Sequence, residues 1–245
     1  MPQIIHLTET DSTNTYLKEL ALKTPVDEMT IVRTDYQSAG KGQRGNVWES
    51  ERGKNLLFSV LLQPGFIHAD KQFILSQLVS LAIKDVLSEH TDGITIKWPN
   101  DIYWQEKKIC GILVENNLIG NKIEQSVIGI GININQETFV SDAPNPVSLQ
   151  QITGKEYNIE HILYGITDKI VLYYNNLKDG KTADIISAYK SALFRREGYY
   201  WYDDGTQPFE ARIADIEDTG ILHLETKDKQ IRKFAFKEVT YISNS

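Results

Sequence analysis

Apolar residues recur at helical spacing in four stretches and crowd into short runs almost everywhere else, and this pattern sets the expected architecture. Behind Asp11-Ser12-Thr13-Asn14, the residues Tyr16, Leu17, Leu20 and Ala21 mark a first helix. Phe73, Ile74, Leu78, Leu81, Ala82, Val86 and Leu87 hold one face of a longer helix, with Asp70 as its expected cap and its end near Asp92-Gly93. Two further helices are expected over 159–177 behind Asn158 and over 183–193 behind Thr182. Strands are expected over 29–37, 54–63, 94–104, 108–116 and 122–135, the last two joined by a hairpin turn at Leu118-Ile119-Gly120-Asn121. Strands followed by helices indicate an α+β fold with a mixed, largely antiparallel sheet flanked by helices.

Past residue 197 the character changes. Segments 199–203, 208–217, 221–226, 231–236 and 239–242 are short and rich in aromatic or β-branched residues, separated by Asp204-Gly205, Asp218-Thr219-Gly220 and Lys227-Asp228-Lys229. They predict a small C-terminal SH3-like β-barrel over 196–245, behind a larger domain over 1–195.

Composition narrows the function classes. The chain has 245 residues, 41% of them hydrophobic, enough to bury a sizeable core. A net charge of -7 argues against a nucleic-acid surface. The single cysteine, Cys110, excludes an intramolecular disulfide framework, and the five histidines show no metal-ligand spacing. The N-terminal MPQIIHLTET has no charged region followed by an apolar run, and no stretch approaches the ~20 apolar residues of a membrane span. A soluble cytoplasmic protein with no membrane and no nucleic-acid partner is expected.

The densest candidate chemistry is Gly40-Lys41-Gly42-Gln43-Arg44-Gly45, directly after a strand-like segment. Glycines and cations together suit close approach of backbone N–H groups to a phosphate. The run satisfies G-x-G-x-x-G, but no helix pattern follows it, and Asn46-Val47 stands where a Walker A loop needs Lys-Ser/Thr. A basic glycine loop or a solvated surface turn both remain. Ser12, Thr13 and Asn14 are either helix caps or a polar recognition cluster at the positive end of a helix. Pro99, inside an apparent strand, predicts a bulge or edge at Trp98-Pro99-Asn100-Asp101, where Asp101 suits a divalent cation carried by a nucleotide. Lys108 opens an apolar run and is either solvated or functional. Cys110 reads as a small buried apolar residue rather than a nucleophile. Gly111 marks a close approach, and Gly129 and Gly131 clear one strand face either for a packed helix or for something flat.

In this order, Ser12-Thr13-Asn14, the loop from Gln37 to Gly45 with Trp48, Lys97-Trp98-Pro99-Asn100-Asp101, Lys108-x-x-Gly111-Ile112-Leu113 and Gly129-Ile130-Gly131-Ile132-Asn133 resemble the biotin–protein ligases. The resemblance covers nearly the whole chain. It is to BirA-like catalytic and C-terminal domains without a DNA-binding domain, since the first motif begins at Ser12. It implies a fold like that of class II synthetases and biotin ligases. It also implies activation of biotin by ATP to biotinyl-5′-AMP with release of pyrophosphate, Mg2+ sharing the phosphate charge, and transfer of biotin to a lysine of a biotin carboxyl carrier protein. Neither step needs an enzyme nucleophile, so alignment and charge neutralisation are the demands.

Residue by residue, the resemblance assigns Ser12, Thr13, Asn14, Gln37, Lys41, Gly42, Gln43 and Lys108 to biotin. Gly40, Gly42, Arg44, Gly45, Trp48, Asn100, Asp101 and Asn133 go to the adenylate and ATP, with Trp48 as an apolar lid. Lys108, then Lys41 and Arg44, carry catalysis, and Asp101 serves the metal. The family pattern has arginines where this chain has Lys41 and Gln43, which alters how an adenylate is held. Some members pair as homodimers through a sheet edge, and an edge also suits docking of the carrier. Two other readings stand beside this one: a lipoate or octanoate ligase or transferase on the same fold, and a non-enzymatic biotin sensor.

Overall fold

Alternation along the strands decides which side of the sheet each helix takes. The computed structural model describes residues 2–43, 46–140 and 145–242. Strands β1 (Ile4–Leu7), β2 (Ile31–Thr34), β3 (Leu56–Leu62), β4 (Ile94–Lys97), β5 (Asp101–Trp104), β6 (Lys107–Ile119) and β7 (Lys122–Ile132) form a seven-stranded sheet in the order β1-β2-β3-β7-β6-β5-β4. Only β1 and β2 run parallel; every other neighbouring pair is antiparallel. The large mixed sheet with its helices agrees with the expected α+β class. β1 was not expected, because four residues with a single polar member carry no readable period.

Leu56, Phe58 and Val60 of β3, with Ile128 and Ile130 of β7, bury against helices α2 (Phe73–Ser88) and α4 (Ile159–Lys178). The alternate residues Leu61 and Val127, with Val32, face the other way and receive Leu17 of α1 (Thr13–Lys23). A short helix α3 (Leu149–Thr153), which the sequence reading did not include, is held by a capping box between Ser148 and Gln151. Helix α5 (Thr182–Ser191) packs against α2.

Three local expectations are corrected. Asp70 does not cap α2; it lies in a 3-10 turn at Ala69–Lys71, and α2 begins at Phe73 behind Gln72. The apparent strand over 94–104 is two antiparallel strands, and Pro99 makes the turn between them, where the Trp98–Pro99 peptide is cis. The bulge lies instead at Ile109: Ile102 pairs with Cys110 and Tyr103 with Lys108, so Ile109 is the extra residue.

The five expected C-terminal strands are all present as β8 (Tyr200–Asp203), β9 (Pro208–Ile216), β10 (Leu222–Thr226), β11 (Ile231–Phe234) and β12 (Thr240–Tyr241). They form an antiparallel sheet in the order β11-β10-β9-β8-β12, open at β11 and β12 among the described residues. Its apolar face is not a separate core, for Tyr202, Ile216, Leu224 and Phe234 belong to the same buried cluster as α2 and the large sheet. The Trp98 indole donates to the Gly220 carbonyl at 2.9 Å and ties the two sheets at the site. Among the described residues, no helix is long and apolar enough to cross a membrane.

Candidate active site

The site grows from one face of the large sheet, on the side of α1. Across four neighbouring strands Leu57, Gly131, Gly111 and Asp101 are register partners, and the adjoining row holds Ser59, Gly129 and Leu113. Three glycines in two rows remove the side chains that would otherwise fill this face. A Cβ on Gly129 would stand 2.4 Å from Asn14 Oδ1, and one on Gly131 would stand 2.5 Å from Trp48 Cε2. The room left by the glycines is therefore divided: helix α1 packs its Asn14 amide over Gly129, and the flat Trp48 indole lies over Gly131.

At the α1 end, Ser12 starts the helix without a side-chain cap, so of the two readings of its hydroxyl the cap is not realised. Asn14, 3% exposed, donates from Nδ2 to Glu115 at 2.8 Å and to the Leu113 carbonyl at 3.4 Å. The Ser59 hydroxyl lies 2.5 Å from Asn14 Oδ1 and 2.7 Å from Thr13 Oγ1. Gln37 Oε1 accepts from the Thr13 N–H and hydroxyl at 2.9 and 3.1 Å. Ser59 was missed by the sequence reading, although it is the only polar residue in LLFSVLL and so carried a signal. Glu115 was missed too, with no signal beyond its place on the site face of β6.

Burial opposes ionisation of Glu115, but hydrogen bonds from Lys18 and Asn14, with the charges of Lys18 and Lys41, hold its carboxyl below the ordinary 4.5. A lowered native value means that its contribution to stability is complete above pH 4.5 and is lost as pH falls through the native value. Glu115→Gln is expected to flatten this acid limb of the stability curve. Urea unfolding midpoints between about pH 3 and 5 would check it, and an unchanged slope would refute it.

The loop closes over this floor. Lys41 and Val47 form an antiparallel bridge, the Gly42 N–H donates to the Asn46 carbonyl at 2.7 Å, and the Trp48 N–H to that of Gly40 at 2.9 Å. A Cβ on Gly40 would meet the Trp48 carbonyl at 2.5 Å, so Gly40 serves backbone contact beneath the loop rather than the cavity. Lys41 donates to Thr15 Oγ1 at 2.9 Å. The Trp48 ring lies on Gly111 and Gly131, and its buried Nε1 has no partner among the described residues. Arg44 and Gly45 lie outside the described residues.

The bulge at Ile109 puts Ile109 and Cys110 both into the core and turns Lys108 to the site face. There Lys108 Nζ sits 2.8 Å from Asp101 Oδ1 and 5.8 Å from the centre of a Trp48 ring. Cys110 is fully buried, and burial pushes its thiol up. Asn100, 4% exposed, donates to the Ile112 carbonyl and pins the Pro99 turn to β6. Lys97 lies over the rings of Tyr103 and Tyr241, and burial pushes its ammonium below the usual lysine range against the pull of Asp101.

Ser12, Thr13, Asn14, Gln37, Lys41, Gly42, Gln43, Trp48, Asn100, Asp101 and Lys108 all line one cavity of about 420 Å³, joined by Phe236 and Lys237 from beyond β11. Asn133 does not line it: its Nδ2 donates to the Val147 carbonyl at 3.2 Å, away from the floor. Asp101 is the one carboxylate among the described lining residues, and no group of three His, Cys, Asp or Glu side chains gathers among the described residues to hold an ion. That donor set fits a magnesium ion that arrives with phosphate ligands and keeps its waters, rather than one caged by protein.

The family model described as biotin/lipoate A/B protein ligase matches residues 7–133, just over half of the chain and the part that holds most of this cavity. The chain belongs to the biotin/lipoate A/B protein ligase family. Among relatives of this ligase family, the bifunctional ligase/repressor BirA of Bacillus spizizenii is 35% identical over 217 residues, which are 82% of this chain and 63% of that protein. The chain thus spans less than two thirds of that relative, and 44% of the Bacillus subtilis BirA. The biotin–acetyl-CoA-carboxylase ligase of Paracoccus denitrificans is 29% identical over 89% of this chain and 92% of its own. Among solved ligase structures, the biotin protein ligase of Aquifex aeolicus in complex with biotin and ATP superposes with a TM-score of 0.80 at 27% identity, over 98% of both chains.

Proposed function

We propose that this chain is an ATP-dependent biotin–protein ligase. The observation that carries the reading is the layout of the cavity: hydroxyl and amide groups gather over β3 and β7, and Lys108 with Asp101 stands over β6 and β5. Three strand spacings separate β3 from β5, roughly 14 Å. That span suits an elongated acid with a polar ring at one end and a carboxylate at the other. A cyclic urea has one strong acceptor and two N–H donors, and Ser12, Thr13, Asn14 and Gln37, which line the cavity, offer both kinds of partner. An octanoyl or lipoyl chain would find nothing to match these groups, which disfavours the lipoate or octanoate reading. A binding-only sensor would leave Lys108 and Lys41 without a task.

In the first step the carboxylate of biotin attacks the α-phosphorus of ATP, and pyrophosphate leaves with the electrons of the broken P–O bond. Two anions must approach, and Lys108 at their meeting point, with Lys41 from the loop, lowers the repulsion. Asp101 would hold a magnesium ion carried by the nucleotide, whose charge offsets that of the phosphates. In the second step the uncharged amine of a carrier lysine attacks the mixed anhydride, AMP leaves, and the amine proton passes to solvent or AMP. Trp48 supplies an apolar wall beside the reacting carbon.

The partner in this reading is a biotin carboxyl carrier protein domain of a carboxylase, met in the cytoplasm, with no nucleic-acid role. We read 1–195 as the catalytic unit and 196–245 as an SH3-like unit, and a homodimer through the β1 edge as the assembly to test by ultracentrifugation. Incubation with biotin, ATP, magnesium and a carrier domain tests the whole: biotinyl-AMP and a labelled carrier lysine are expected, and the absence of both excludes a ligase. Gln43, a neutral amide, lines the same cavity. Gln43→Arg is expected to slow release of biotinyl-AMP by about tenfold, the effect of one added charge-assisted hydrogen bond. An off-rate that does not fall counts against this role.

A further inference from the structure

Lys237 is a charge that none of the sequence motifs contains. It follows Phe236 in the turn between β11 and β12, and its φ of +70° lies in the left-handed region that suits glycine and that lysine seldom adopts. The turn sets Phe236 edge-on to Trp98, ring centres 6.2 Å apart, and carries the next residue to the wall of the cavity that Lys41 and Lys108 also line. There Lys237 Nζ donates to the Gln43 carbonyl at 3.3 Å, a hydrogen bond that joins the second sheet's turn to the glycine loop. Other lysines of the second sheet are neutralised: Lys227 by Glu210, Lys229 by Glu225 and Lys233 by Glu217. Among the described residues, Lys237 has no carboxylate within ion-pair distance. A cation held on a cavity wall, in a backbone conformation unfavourable to it and without a counter-ion, is placed to receive an anion from outside the chain.

We infer that Lys237 is a nucleotide-binding residue whose ammonium takes the phosphate chain of ATP, exchanging its bond to the Gln43 carbonyl for one to a phosphate oxygen. The inference rests on the ligase reading above and adds to it a residue from the second sheet. It gives that sheet a direct part in the site, through one side chain that meets both the loop and the substrate. No bond of the substrate is made or broken by Lys237; it holds the phosphates while Lys108 and Lys41 act nearer the carboxylate.

The test uses the full chain with Lys237→Met, Lys237→Arg and Lys237→Gly. Lys237→Met is expected to raise KM for ATP about tenfold with little change in kcat, and to leave biotin affinity in the absence of nucleotide unchanged. Lys237→Arg should restore most of the ATP affinity. Lys237→Gly relieves the backbone and removes the charge, so it should show the same rise in KM while unfolding at the wild-type temperature or above. If the glycine variant has wild-type KM while the methionine variant does not, the effect is one of backbone and the inference falls. It falls equally if all three variants match the wild type. If the wild-type protein itself forms no biotinyl-AMP, the ligase reading is what has failed. Should Lys237→Met fold poorly, the glycine and arginine variants decide alone.

Discussion

Lys108→Ala is expected to slow formation of biotinyl-5′-AMP by about 10²–10³-fold, with a much smaller effect on biotin binding without nucleotide. The ammonium faces a cavity whose only carboxylate among the described residues, Asp101, already holds it at 2.8 Å. Asp101 fixes where the charge stands, so the pair is placed before substrate arrives and little reorganisation remains for the reaction. Attack of a carboxylate on a phosphate brings two anions together, and the charge that offsets this is needed more in the transition state than in either ground state. A loss in kcat rather than in biotin affinity is the signature of that difference. Lys108 and Asp101 are each more than a quarter exposed, so removing the lysine leaves Asp101 solvated and the fold intact. Single-turnover release of pyrophosphate would measure the rate, and a fall of less than tenfold would remove Lys108 from the catalytic role.

Gly129→Ala is expected to destabilise the protein by about 1–3 kcal/mol and to abolish tight biotin binding, because one methyl group displaces Asn14. The new Cβ would lie 2.4 Å from Oδ1 and 2.8 Å from Cγ of that side chain. Asn14 is buried, and its amide is shared between Ser59, Glu115 and the Leu113 carbonyl, so it cannot swing aside without leaving those partners unpaired. At roughly 2–4 °C per kcal/mol for a chain of this size, the melting temperature should fall by several degrees. Gly65→Ala is the control, since a Cβ there meets nothing within 4 Å, and it should be neutral or slightly stabilising. Equal melting temperatures for the two variants would mean that the packing of Asn14 over Gly129 carries no weight.

Much of this site was legible because each motif had to be polar, glycine-rich or basic where its neighbours were apolar. The alternation of Gly129 and Gly131 with isoleucine announced a cleared face, and the cleared face is where Asn14 and Trp48 lie. The occupant could not be read, because the cross-strand pairing of Gly111 with Gly131 is a matter of register between β6 and β7, which no local pattern states. Pro99 drew attention to the right neighbourhood for the wrong reason. It turns the chain between β4 and β5, while the bulge that aims Lys108 lies on β6 at Ile109, an apolar residue indistinguishable from its neighbours. Asn133 belonged to a motif by sequence and to the wall behind the site by geometry. Lys237 was unreadable, since its importance comes from a left-handed turn that brings residue 237 to residue 43.

The bulge at Ile109 makes the address of the site's amine a question of counting. Lys108 and Gly111 stand three positions apart and yet share one side of β6, which a regular strand forbids because successive positions alternate. Pairing with β7 fixes the sides from Cys110 to Asn117, so the parity of the spacer between the lysine and that fixed stretch decides where the amine goes. One more residue in the spacer would put Lys108 four positions from Gly111, so that a straight strand would carry both on the cavity side. One fewer would straighten the strand and leave Lys108 on the same side, with only the extra twist of the bulge lost. Either edit makes the count to Gly111 even, so the bulge is what lets an odd spacing still deliver the amine to the cavity, and the chemistry as it stands depends on a residue that itself touches no substrate.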